Sequence, residues 1–124
     1  MGLDMNAGLI AASLLGASGV VAGAFGAHAL EGAVTSERLA VWETASQYHL
    51  FHAIVILVLA LQPERQESPK WRLSLLGFTV GIVLFSFSLY ALVLSGNTGF
   101  AMVTPFGGLV LIASWLSLLR RSAA

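Results

Sequence analysis

The chain has 124 residues, of which 57% are hydrophobic and 10% are charged, and its formal net charge is zero. Soluble domains carry roughly 25% charged residues, and so small a domain leaves too much surface in water to hide this many apolar side chains. The composition therefore favours an integral membrane protein with membrane lipids as its surroundings. The six basic residues are scattered, so nucleic acid is not an expected partner. The absence of cysteine excludes disulfides and thiol chemistry.

The first predicted helix runs from about residue 6 to residue 30, long enough to cross a hydrocarbon core of roughly 30 Å. Asp4 and Asn6 are its candidate N-caps. No Lys or Arg precedes it, so it is predicted to be a retained membrane helix rather than a secretory signal. Small residues recur in it at four-residue spacing, and the glycines of interest are Gly16, Gly19, Gly23 and Gly26. Because this spacing lets another helix approach closely, the first helix is expected to be the buried one.

The second predicted helix covers residues 36–61, about 39 Å of helix, which is longer than the hydrocarbon core. Its first turns are polar and hold Glu37, Arg38, Trp42 and Glu43. They are predicted to lie in the headgroup layer, with Trp42 as an interfacial anchor. His49 and His52 follow about 6 and 10 Å beyond Ala45, where the helix becomes apolar. Both imidazoles are therefore predicted to lie below the membrane surface.

Two further helices are predicted, over residues 69–95 and 105–120. A hydroxyl residue followed by proline starts each of them, so Ser68 and Thr104 are the predicted N-caps. The fourth helix is short for a full span of the bilayer. The uncharged segment Phe100–Thr104 before it is therefore expected to dip into the membrane against the other helices.

Small, aromatic and hydroxyl side chains in these two helices have predicted roles. Four glycines would let neighbouring helices approach closely, and they are Gly77, Gly81, Gly107 and Gly108. Three aromatic residues are interpreted as interfacial anchors, namely Trp71, Phe100 and Trp115. Ser86 and Ser88 are interpreted as bonding back to the backbone of their own helix.

The basic residues predict the orientation of this all-α four-helix bundle. With four crossings, the N-terminus, the second link and the C-terminus share one side of the membrane. That side holds five basic residues, which are Arg65, Lys70, Arg72, Arg120 and Arg121. The opposite side holds only Arg38. By the positive-inside rule, both termini are predicted to face the cytoplasm.

One cluster of polar side chains in the outer half of the bundle is a candidate ligand site, and its members are His28, His49, His52, Tyr48 and Tyr90. A first interpretation is a pocket for a small lipophilic ligand, such as a quinone or a lipid. The second is that each imidazole bonds a carbonyl or hydroxyl group and fixes the packing of the helices. The second is preferred because interhelical polar bonds are common in membranes. The spacing requires neither a metal nor a haem, and no acid–histidine–serine arrangement points to a catalytic residue.

Four motifs occur in order over nearly the whole chain: GAFGAHAL at residues 23–30, WxTAxxYHxxHA at 42–53, FSxSLYxL at 85–92 and TPxGG at 104–108. This set resembles the YgdD/YwdK-like family of small bacterial inner-membrane proteins of unknown function. The resemblance implies a multi-pass, four-helix protein of the bacterial inner membrane, and it implies no reaction, substrate or cofactor.

Two functional classes remain at this point. In the first, the protein is a non-enzymatic membrane subunit or scaffold that packs through its glycine-rich helix faces against a second copy or a larger membrane complex. In the second, the outer-half histidine and tyrosine cluster binds the lipophilic ligand. The first is the preferred prediction. The ligand interpretation requires that the three imidazoles converge on one cavity.

Overall fold

The structure, a computed structural model, describes residues 6–62 and 68–121 of the chain. The described part is all-helical, with four helices here numbered in chain order: α1 (Ala7–Leu30), α2 (Ser36–Ala60), α3 (Pro69–Ser95) and α4 (Thr104–Ser117). Short 3-10 turns flank α4 at Thr98–Met102 and Leu118–Arg121. Helices α1 and α3 each contain a π-helical segment, Val21–Gly26 and Val83–Phe87. The predicted N-cap Asp4 and the basic residue Arg65 lie outside the described residues.

The helix ends follow local chemistry. The Asn6 side chain accepts a hydrogen bond from the Leu9 N–H, and the Thr35 hydroxyl accepts one from the Arg38 N–H, so both residues act as N-caps. Gly96 ends α3 in the left-handed conformation, with φ of 72°, which a residue with a side chain adopts only at a cost.

The predicted caps of α3 and α4 differ from the observed ones. Ser68 occupies the N-cap position of α3, but its side chain makes no capping hydrogen bond. Thr104, predicted as the N-cap of α4, is instead its first helical residue. The reason is that the chain enters α4 from the 3-10 turn with Val103 already in helical geometry. The segment Phe100–Thr104 is thus almost wholly helical rather than an irregular connection.

Helices adjacent in sequence pack side by side and antiparallel. Helix α1 lies along α2, α2 along α3, and α3 along α4. The core between them is apolar, and Ile56, Phe78 and Ile82 are fully buried in it.

The most enclosed helix is α2, not α1. Nine residues of α2 are buried, whereas α1 buries only Ala12, Leu15 and Gly19. The prediction that α1 would be the buried helix was therefore wrong. Its small residues bring one face of α1 close to α2, but α1 has a single main neighbour and leaves its other faces open.

Three helical stretches of the described chain are long and apolar enough to cross a membrane: Ala7–Leu30, Pro69–Ser95 and Thr98–Ser117. The third reaches 20 residues because the 3-10 turn extends α4 at its start. Helix α2 is not among these three stretches, because its first half is too polar. Large apolar side chains lie exposed on the outside of all four helices, among them Leu14, Ile54, Leu94 and Phe106. Much of the outer surface of the bundle is therefore apolar.

Candidate functional site

His49 lies between three helices and is 1% exposed. Its Nδ1 is 2.8 Å from the phenol oxygen of Tyr90 on α3, and its Nε2 is 3.1 Å from Oγ of Ser18 on α1. Ser18 Oγ also lies 3.2 Å from the Leu15 carbonyl oxygen, to which it donates. A single imidazole of α2 therefore connects α1 to α3 near the centre of the bundle.

The hydrogen-bond directions in this chain follow from counting protons. A serine hydroxyl has one hydrogen and a carbonyl oxygen only accepts, so a Ser18 hydroxyl that donates to Leu15 must accept from Nε2 of His49. Nδ1 of His49 then accepts from the Tyr90 O–H. The reverse order would leave the Tyr90 hydrogen without an acceptor among the described residues. We assign the Nε2–H tautomer to His49 on this ground.

His52 makes a separate connection, to α4. Its Nδ1 lies 2.8 Å from the Tyr48 carbonyl oxygen, and its Nε2 accepts from Nε1–H of Trp115 at 3.1 Å. Since the carbonyl accepts and the indole donates, His52 carries its proton on Nδ1. The Trp115 ring also meets Phe78 edge-on, at 5.3 Å between centroids. Trp115, interpreted from sequence as an interfacial anchor, thus fastens α4 to α2.

The remaining candidates do not join one pocket. His28 is exposed at the end of α1, ten positions beyond Ser18 and so about 15 Å away along the helix axis. Tyr48 is 43% exposed, and its hydroxyl has no hydrogen-bond partner among the described residues. Surface cavities beside Arg38, beside Thr44 and beside Arg72 are lined by residues outside the candidate set. Within the described residues, the five candidates therefore divide into two hydrogen-bonded groups and an outlying histidine.

Trp42 is buried, at 7% exposed, and is not the interfacial anchor predicted from sequence. Its Nε1–H donates to the Ala22 carbonyl at 2.8 Å, and its ring packs on Tyr90 at 4.5 Å between centroids. A Cβ on Gly26 would lie 2.6 Å from Cζ2 of this indole, so only glycine leaves room for it. Inside the bundle, other protein groups both pack against the indole ring and accept from its N–H. At the membrane interface, lipid would contact the ring and water would bond the N–H.

Trp71 shows the same behaviour at the other end of the bundle. It is 3% exposed, and its Nε1–H donates to the Leu59 carbonyl of α2 at 3.1 Å. The anchor interpretation was therefore wrong for Trp71 as well.

The predicted packing glycines fall into two groups. A Cβ would overlap a neighbouring helix at five of them, which are Gly19, Gly26, Gly77, Gly81 and Gly107. At Gly107 the obstacle is the backbone of Leu84 and Phe85, which has no freedom to rotate away. At Gly23 and Gly108 a Cβ would find only ordinary contact, at 3.7 and 3.8 Å. At Gly16 it would meet no atom of the described residues within 4 Å, so this glycine lies on an open face.

Sequence reasoning missed several hydroxyl side chains that join helices. Ser86 donates to the Ala45 carbonyl of α2 at 2.7 Å, so it does not bond back to its own helix as predicted. Ser88 does bond back, to the Phe85 carbonyl, and also lies 2.6 Å from the Thr104 hydroxyl. Ser18 was also missed, although it adjoins the close-approach glycine Gly19, and this adjacency was the available signal.

These contacts define what the site does. Both ring nitrogens of His49 and of His52 are engaged within the bundle. No three histidine or carboxylate side chains of the described chain cluster as a metal site. The polar groups described above turn inward and join the helices, while large apolar side chains cover much of the exterior, which is the arrangement that a lipid environment demands. The class of protein is therefore an integral membrane helical bundle held by buried hydrogen bonds.

The chain belongs to the family described as "Protein of unknown function (DUF423)", whose model matches residues 22–108. The UPF0382 membrane protein YwdK of Bacillus subtilis (strain 168) is 41% identical over 96 residues, covering 76% of this chain and 77% of that protein. The UPF0382 inner membrane protein YgdD of Escherichia coli (strain K12) is 39% identical over 111 residues, covering 90% and 85%. A UPF0382 membrane protein of Haemophilus influenzae is 37% identical over 99 residues, covering 80% and 79%. No solved structure matches the chain. The family resemblance inferred from the four motifs is confirmed.

Proposed function

We propose that the protein is a non-enzymatic subunit or scaffold of the bacterial inner membrane, which packs through its helix faces against a second copy or a larger membrane complex. One observation supports the proposal most directly: all four ring nitrogens of the two buried imidazoles, His49 and His52, form hydrogen bonds within the bundle. General acid–base catalysis, or ligand binding by a histidine, needs a ring nitrogen that reaches the substrate. His49 and His52 instead hold the helices of the bundle together.

The proposal includes four membrane crossings, with α2 as the fourth. Helix α2 is held against α1 along its length, from the bond between Asn6 Nδ2 and the Ala60 carbonyl at one end to the bond between Trp42 and Ala22 toward the other. A helix that lies alongside a spanning helix covers the same depth of the bilayer. The low hydropathy of α2 is consistent with this, because polar side chains such as Ser46 and His49 are buried in protein rather than in lipid.

Both termini are proposed to face the cytoplasm. The sequence places five basic residues on the side of the termini and the α2–α3 link, against Arg38 alone on the other side. The asymmetry of Lys and Arg near helix ends sets orientation in bacterial membranes. The YgdD relative is named as an inner membrane protein, which supports the same location for this chain.

The topology is tested with single cysteines, since the natural chain has none and serves as its own unlabelled control. Ala33→Cys lies in the α1–α2 link, and Ser68→Cys lies at the start of α3. In spheroplasts, a membrane-impermeant maleimide should label Ala33→Cys, whereas Ser68→Cys should react only after the membrane is opened. Labelling of both cysteines from the same side would refute the α2 crossing. An exchanged pattern would refute the orientation alone.

The structural role is tested by purification from native membranes in mild detergent, followed by mass spectrometry of proteins and lipids. We expect a protein, either a further copy or another subunit, in constant proportion to the chain. A stoichiometric quinone or lipid that is lost in the Tyr90→Phe variant would refute the structural role and favour the ligand interpretation.

A further inference from the structure

Helix α2 has an outward face that no described residue covers. Its nine buried residues turn toward the other helices. Exposed residues recur on the opposite side at alternating spacings of four and three, and they are Ala40, Thr44, Gln47, Phe51, Ile54 and Val58. We call this set the outer α2 stripe. Its spacing is the one that places side chains on the contact seam of two parallel helices that coil around each other.

Gln47 lies near mid-depth of the bundle. Its neighbour Ser46 is level with Gly23 of α1, where a Cβ would be 3.7 Å from Ser46 Oγ, and His49 bonds Ser18. Ser18 belongs to the middle third of this 24-residue helix, and Gly23 is the first residue beyond that third. Yet the Gln47 amide is exposed and has no hydrogen-bond partner among the described residues. A primary amide in hydrocarbon is unfavourable unless it forms hydrogen bonds with protein. The Gln47 amide therefore requires a polar partner from another protein surface.

We propose that the outer α2 stripe is the interface of a homodimer, in which two α2 helices run parallel about a two-fold axis normal to the membrane and the Gln47 amides bond each other. All copies insert in the same orientation, so the α2 helices of two copies are parallel. An amide carries both donors and acceptors, so a second Gln47 on the axis satisfies the first. A two-fold interface of this kind is closed and self-complementary. The inference rests on the proposed crossing by α2.

A second copy also supplies partners for the residues that flank the stripe. Glu43 and Tyr48 are exposed on its two sides, and neither the carboxylate nor the phenol has a hydrogen-bond partner among the described residues of one copy. In a parallel pair of coiled helices, the flanking residue on one side faces the residue five positions later on the other helix. Glu43 of one copy therefore faces Tyr48 of the second, where the phenol O–H donates to the carboxylate. This pairing favours a second copy as the occupant over an unrelated helix.

Disulfide cross-linking in native membranes tests the geometry. Gln47→Cys and Thr44→Cys place thiols on the stripe, and Val20→Cys places one on α1 at a similar depth, where Val20 is 52% exposed. Under a membrane-permeant oxidant, the first two variants should give a band of twice the monomer mass, and Val20→Cys should not. Equal cross-linking at Val20, no band at Gln47, or a product with a different protein would each overturn the proposal.

Variants at Gln47 test the role of the amide. Gln47→Leu makes the stripe more apolar yet should weaken the dimer about tenfold, the equivalent of one interhelical amide pair. Gln47→Asn keeps an amide and should retain most of the affinity. Energy transfer between labelled copies in detergent measures the dimer affinity of both variants. Circular dichroism checks that the variants remain folded, which we expect because the exposed Gln47 side chain does not support the fold of one copy. A Gln47→Leu dimer as tight as the wild-type dimer would refute the amide contact. Failure of the α2 crossing would appear separately, in the labelling of Ala33→Cys and Ser68→Cys.

Discussion

Two adjacent glycines in the first turns of α4 provide a matched test of helix packing. A Cβ on Gly107 would meet the backbone of α3, with Leu84 C and Phe85 Cα each 2.8 Å away. A Cβ on Gly108 would lie 3.8 Å from Phe85 Cδ2, which is an ordinary contact. We therefore predict that Gly107→Ala destabilises the bundle, whereas Gly108→Ala does not.

The expected magnitudes follow from two opposing terms. Each substitution gains up to about 1 kcal/mol of helix propensity. Overpacking costs about 1–3 kcal/mol, and the upper end applies at Gly107 because backbone atoms have no rotamer to change. Relief would require α4 to move off α3, which would also loosen the contact between Gly81 and Leu111. The net effects are a loss of about 2 kcal/mol for Gly107→Ala and a gain of up to about 1 kcal/mol for Gly108→Ala.

The free energy of unfolding can be compared by titrating the purified proteins from a mild detergent into sodium dodecyl sulfate while following helicity and tryptophan fluorescence. Trp115 on α4 and Trp71 on α3 report on this helix pair. Equal stabilities for the two variants, or a Gly107→Ala protein at least as stable as wild type, would show that α4 does not approach the α3 backbone as described.

Three further predictions use the same assay. Gly16→Ala should be neutral or stabilising by up to about 1 kcal/mol, because its Cβ meets open space, whereas Gly26→Ala should cost about 1–3 kcal/mol by pushing a methyl group into a buried indole. Tyr90→Phe should cost about 1 kcal/mol by removing the donor to His49, and equal stability would contradict the assigned bond. Trp115→Phe should cost about the same, since an aromatic ring remains but its N–H bond is lost; a cost no larger than that of Phe106→Leu on the exposed side of α4 would argue against that bond.

The helices were predictable because their ends carry local signals. Asn6 and Thr35 act as caps through bonds within three residues, and Gly96 takes a backbone conformation that favours glycine. Such interactions depend on neighbouring residues and can be read without a fold. The burial of α2 in place of α1 depends on how many neighbours each helix has, which local sequence does not specify.

The candidate site was less predictable, because small rotations decide its contacts. His49 and His52 are three residues apart and so differ in direction by about 60° around the helix axis. Because of that difference, His49 forms hydrogen bonds with Ser18 and Tyr90, whereas His52 forms one with Trp115. Spacing identified a shared helix face but not the separate partners. Trp42 also escaped prediction, since its partner is a backbone carbonyl that any residue type could supply.

The two π-helical segments coincide with close contacts between helices. Each lies where a group from another helix meets the helix backbone: Trp42 bonds the carbonyl of Ala22 in the first segment, and Gly107 rests on residues 84–85 in the second. A π turn holds one more residue than an α turn and widens the backbone locally. It thereby changes the direction of the side chains that follow it, and the first of these is Ser88, whose hydroxyl lies 2.6 Å from that of Thr104 on α4. Because the change amounts to one residue in a helix of 24 or 27, apolar periodicity does not reveal it, and the contacts made at these two segments could not be read from the sequence.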